Sequence, residues 1–129
     1  MVQTTGGAFA RPALFADHAA SGGRRVRATA VLFAVGSLLT LVDAALTRRL
    51  LLEPGHTERW APVRMLIDAL GVDIAIAIAS VLAVATMAAL AWTSVYGRRN
   101  LAAIAYVTLF AAILVRGSGC LNNFGVMLG

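Results

Sequence analysis

Three long apolar stretches, each bordered by arginine, dominate the pattern of hydrophobic and polar positions. The first, residues 28–47 (ATAVLFAVGSLLTLVDAALT), is interrupted by a single charge, Asp43. Twenty residues at 1.5 Å each reach about 30 Å, the thickness of a bilayer's hydrocarbon core. The second, residues 74–96, runs 23 residues with no formal charge. Its opening Ile-Ala alternation has the period of a strand, but a run of this length decides for a membrane helix. The third, residues 101–115, covers only about 22 Å and is stopped by Arg116. Extending it to about Asn122 gives it enough length and places Arg116 inside the helix, below the interface. The pattern therefore predicts an all-α integral membrane bundle with spans at about 28–49, 72–96 and 100–122.

The first connection carries a different pattern. Pro54-Gly55 is a turn dipeptide. Pro62 suits the first turn of a helix, after which Val63, Leu66, Ile67 and Leu70 recur at helical spacing. Arg64 and Asp68 lie off that stripe, Trp60 stands as an interfacial anchor, and Gly71 ends the segment. Residues 62–70 are thus expected to form a short amphipathic helix on the membrane surface.

Composition agrees. Of 129 residues, 60% are hydrophobic and 13% charged, about half the usual charged complement. That is too sparse to cover a small soluble domain, which excludes a typical soluble enzyme and the disordered classes. All eleven basic residues are arginine, giving a net charge of +5. They flank the apolar runs and do not build a phosphate-tracking face, so no nucleic acid is expected as a partner. Arg24, Arg25 and Arg27 precede the first span, and Arg98 and Arg99 follow the second. This placement predicts a multi-pass protein of the plasma membrane with a cytoplasmic N-terminus. Trp92 and Tyr96 fall where an aromatic belt belongs, and residues 1–27 read as a flexible basic arm hinged at Gly22-Gly23.

Candidate chemistry centres on Asp43, because a carboxylate inside a span normally faces a partner or a cavity. Gly36, Thr40, Asp43 and Thr47 share one helix face, a small and polar one of the kind that helices use to approach each other in lipid. The second span offers Asp73, Ala77, Ser80, Ala88 and Ala91 as an imperfect match, since the bulkier Val84 falls among them. Asp43 lies sixteen residues after Arg27, and Arg116 lies seventeen after Arg99. The two reach similar depth on helices running the same way, so they are expected to pair, with Asp73 nearby. Ion-pair register and proton relay are both open to such a trio, and its confinement to one end favours the first.

Nothing else rises to a site. Glu53, His56 and Glu58 around a Pro-Gly turn make a poor metal cage. Neither histidine lies in a span, which argues against haem ligation there. Cys120 has no neighbouring base, and Gly117-Ser118-Gly119 lacks the lysine of a phosphate loop. No catalytic residue, metal or cofactor is expected.

The stretch LTLVDAALTRRLLL, followed by HTERWAPVRML, resembles an uncharacterised family of small bacterial and archaeal membrane proteins. That family pairs a first-span Asp-x-x-x-Thr with a loop Glu-Asn-Pro and ends in an Asn-containing last span. Asp43 and Thr47 match the first element, while Glu58 and Pro62 stand for the second with Arg59-Trp60-Ala61 between them. Asn122 or Asn123 stands for the last. The resemblance covers about residues 36–127 and implies a compact helical membrane domain without a known activity.

The expected role is that of a non-enzymatic accessory or scaffolding subunit, embedded in lipid and packing against larger membrane partners or another copy of itself. A small oligomeric proton-coupled transporter using Asp43 is the alternative, and a holin-like permeabilising protein shares the size and span count.

Overall fold

The computed structural model describes residues 11–55, 57–58 and 61–128, with backbone alone for 11–21. It consists of α1 (Arg11–Leu51), α2 (Ala61–Leu70), α3 (Val72–Tyr96) and α4 (Arg99–Leu128), with no strand among the described residues. Gly22–Leu51 of α1, all of α3 and all of α4 are long and apolar enough to cross a bilayer. The architecture is compatible with a small membrane protein.

α3 occupies the residues the pattern assigns to it. α1 and α4 run longer. α1 is helical throughout Arg11–Leu51 and runs through Gly22-Gly23 without a break. Two helix-interior glycines cost about 1 kcal/mol each, which the surrounding alanines and leucines offset. The dipeptide is therefore helical, and residues 11–27 of the expected flexible arm continue α1 ahead of the apolar run. α4 passes Asn122 and continues to Leu128, since no proline stops it. Arg116 consequently sits well inside its helix.

Contacts between named residues set the register. Thr29 meets Ser94, and Gly36 lies against Met87, so α1 and α3 are antiparallel. Gly36 also meets Ile113, while Asp43 meets Arg116 and Asn123, so α1 and α4 are parallel. Each long helix packs on the other two, and α2 packs on α3 alone.

Burial runs opposite to a water-soluble bundle. Thr29, Thr40 and Ser94 are buried, whereas Leu38, Val81, Val107 and Val115 are more than half exposed. Of the most apolar window of each long helix, only 17, 11 and 22% is buried within the bundle, so most of the apolar surface faces outward, as a lipid solvent requires.

Gly36 makes the three-helix contact possible. A Cβ added there would stand 2.7 Å from Met87 Sδ and 3.1 Å from Ile113 Cγ1. Those two residues and the fully buried Leu109 form the apolar core. Gly71 has a conformational duty. Its φ of 84° lies where side chains are rarely tolerated, and it alone joins α2 to α3.

Replacing Gly36 by valine is expected to cost about 1–3 kcal/mol by overpacking. Alanine at the same position should cost less, because the flexible Met87 side chain can move aside. Thermal unfolding of the detergent-solubilised chain checks both.

Candidate functional site

Two helix faces with a seven-residue repeat build the polar centre. On α1 the inward track is Thr29, Gly36, Asp43 and Leu50, with Phe33, Thr40 and Thr47 interleaved. On α4 it is Ala102, Leu109, Arg116 and Asn123, accompanied by Ile113 and Cys120. A strict heptad keeps such faces together along parallel helices. Gly36, Leu109 and Ile113 meet in one half of the bundle, and Asp43, Arg116 and Asn123 in the other.

Asp43 has both carboxylate oxygens occupied. Arg116 Nη1 donates to Oδ2 at 3.2 Å, and Asn123 Nδ2 donates to Oδ1 at 2.9 Å. The same amide donates to Thr47 Oγ1 at 3.2 Å. Thr40 is buried and donates to its own helix at the Gly36 carbonyl, 2.9 Å away. Cys120 Sγ lies 3.3 Å from the Leu39 carbonyl, tying α4 to α1 one turn below the carboxylate. The Asp43 side chain retains 18% exposure and Arg116 37%. The pair is thus shielded at the carboxylate and open on one side of the guanidinium.

The structure brings together Asp43, Thr47 and Arg116, with Thr40 one turn away, and separates Asp73 from them. Asp73 pairs with Arg48 instead, and both side chains are more than half exposed. The antiparallel register explains the separation. With Gly36 opposite Met87, Asp43 stands level with about Ser80, seven residues or roughly 10 Å from Asp73. Arg48, five residues beyond Asp43, also points about 140° away from it around α1. The expected small-residue stripe on α3 is displaced as well. Ala75, Met87 and Ser94 are its buried positions, while Ala77 and Ala88 are exposed.

Asn123 is the member of the cluster that the charge and depth argument does not find. Its signal was present, because it stands seven residues after Arg116 on the same face, as Thr47 stands four after Asp43.

Beside the cluster, a cleft of about 970 Å³ opens between the four helices, at the upper end of ligand-site volumes. Asp43, Thr47 and Leu50 line it from α1, and Arg116, Asn122 and Asn123 from α4. Ala79, Ser80, Ala83 and Thr86 form the α3 wall. Pro62, Val63 and Leu66 of α2 close the top together with Thr57 and Glu58. Of these, Val63 is buried and Leu66 partly so. The amphipathic helix therefore turns Val63, Leu66 and Ile67 inward, while Leu70 at the end of the stripe stays exposed. The cleft has a floor. Met87, Leu109 and Ile113, packed with Leu32, Phe33 and Val84, fill the space below it. Thr29 and Ser94 then bond at 3.2 Å farther down.

At the opposite end stand Arg24, Arg25, Arg27, Arg98 and Arg99, all exposed. Trp92 and Tyr96 pack there with ring centroids 4.4 Å apart and planes tilted by 42°. Trp60 lies outside the described residues.

No protein-family model, curated protein or solved structure matches this chain. What the site does follows from its own chemistry.

Substituting Arg116 by glutamine removes the guanidinium from Asp43 and is expected to lower stability by about 1–3 kcal/mol. Adding Asp43→Asn should restore part of that loss, since no unpaired charge then remains. A double-mutant cycle on denaturation in detergent micelles measures the coupling.

Proposed function

We propose that this chain is a small, non-enzymatic integral protein of the plasma membrane. In this reading it serves as an accessory or scaffolding subunit, with its arginine-rich end in the cytoplasm. The observation that carries the reading is the floored cleft beside a fully engaged carboxylate. Asp43 is held by Arg116 and Asn123, and toward the arginine-rich end the lining of the cleft beside it turns apolar, with Met87, Leu90 and Ala112. A path across the membrane needs polar or wet groups along its length, and an apolar plug supplies none.

The cleft supports association instead. At membrane depth, open polar groups are costly unless another protein supplies their partners. Arg116 has donors beyond the one given to Asp43, and Asn122 and Ser80 line the same opening. A partner subunit presenting acceptors there meets that need. Interhelical polar contacts of this kind contribute about 0.6–2 kcal/mol each in membranes. The outward faces of α1, α3 and α4 add apolar surface for packing.

The second reading, a proton-coupled carrier, draws on one observation: a titratable group at membrane depth is reached from one end through the cleft. Its weakness is the ion pair, which keeps the Asp43 carboxylate engaged by Arg116.

Two experiments separate these readings. Tagged chain extracted from its native membrane in mild detergent is expected to carry a partner in fixed stoichiometry. Ala83→Phe, which fills the cleft from α3 without touching the ion pair, should release that partner. The purified chain in proteoliposomes loaded with a pH-sensitive dye should pass protons no faster than empty vesicles. Proton flux abolished by Asp43→Asn would establish the carrier and overturn the accessory role.

A further inference from the structure

A second cavity lies at the other end of the bundle, on the outer surface between α1 and α3. It is a shallow groove of about 280 Å³, lined by Val26, Thr29, Phe33, Trp92, Val95 and Tyr96 among others. Thr29 turns its hydroxyl to Ser94, so the lining is apolar almost throughout. Along α3 the groove runs from Ala88 to Tyr96, roughly 12 Å. Trp92 and Tyr96 form its rim and remain about two-thirds exposed.

Arginines flank the groove-lining residues along the chain at its mouth. Val26 sits between Arg25 and Arg27, and Tyr96 is followed within three residues by Arg98 and Arg99. Arg24, Arg25, Arg27, Arg98 and Arg99 are all exposed and, among the described residues, have no carboxylate partner. By chain position, six arginines stand at this end against Asp17 alone. The other end has five arginines and five carboxylates. The whole net charge of +5 therefore belongs to the grooved end.

We propose that the groove seats an acyl chain of an anionic phospholipid whose phosphate is held by the arginines at its mouth. The two halves of the site match the two halves of such a molecule. Trp and Tyr rings favour the headgroup boundary, which sets the groove just below it. Guanidinium groups bind phosphate in bidentate fashion, and basic clusters beside membrane helices attract anionic headgroups. An acidic protein segment would satisfy the arginines but leave the groove empty, and a neutral lipid would fill the groove but leave the arginines unpaired.

Trp92 reports the site directly. The chain has two tryptophans, so Trp60→Phe leaves Trp92 as the sole indole. This full-length variant is reconstituted in phosphatidylcholine bilayers containing brominated-chain phosphatidylglycerol or, separately, brominated-chain phosphatidylcholine. The anionic quencher is expected to associate about fivefold or more strongly than the zwitterionic one at low salt, the gain of a single engaged arginine. Rising salt should reduce that preference. Replacing the five arginines by glutamine should bring it close to unity. Ala88→Phe, which fills the groove and keeps the arginines, should reduce it as well. Equal quenching by the two lipids would overturn the proposal. So would a preference that survives loss of the arginines, or one that Ala88→Phe leaves unchanged, since a diffuse electrostatic attraction needs no seat.

Discussion

A carboxylate carried into an apolar helix has to find its partners on another helix, and Asp43 finds them on α4. That requirement orders the rest of the bundle. Arg116 and Asn123 are one heptad apart, so engaging both oxygens of Asp43 fixes the depth of α4 and its rotation together. Thr47, one turn farther along α1, shares the same amide. In hydrocarbon there is little apolar driving force between helices, and such polar contacts with close packing determine which faces meet.

The same register divides the molecule lengthwise. Toward the arginine-rich end the facing positions are Gly36, Met87, Leu109 and Ile113, which close into an apolar core because Gly36 lets α1 approach. Toward the other end they are Asp43, Arg116 and Asn123, whose contacts join α1 to α4 and leave α3 with small residues along an open wall. α2 extends over that opening but touches only α3. A sealed half and an open half thus follow from where bulky and polar residues fall on one repeat. Charge is divided in the same sense, with an unbalanced basic end at the sealed half and a balanced one at the cleft.

Two interactions that look alike on paper differ in weight. Arg116–Asp43 is partly enclosed and supported by an amide, whereas Arg48–Asp73 is more than half exposed on both sides. An exposed pair contributes about 0–1 kcal/mol and is weakened by salt. The enclosed one leaves a costly unpaired charge when either member is lost.

The order of residues by itself determined the helices, because hydrophobic run length and the spacing of proline and glycine act within one segment. α3 follows its apolar run to within two residues, and α2 is legible from its stripe and from Gly71. Depth counting along two parallel helices also sufficed to set Asp43 beside Arg116. Tertiary structure decided what depends on how helices rotate and slide against each other. Asp73 joined Arg48 because the antiparallel offset of α3 carries it about 10 Å past Asp43. Asn123 entered the cluster because α4 continues as helix beyond the apolar run. The cleft and the basic-mouthed groove exist only where neighbouring helices leave space between them. No single helix encodes that space.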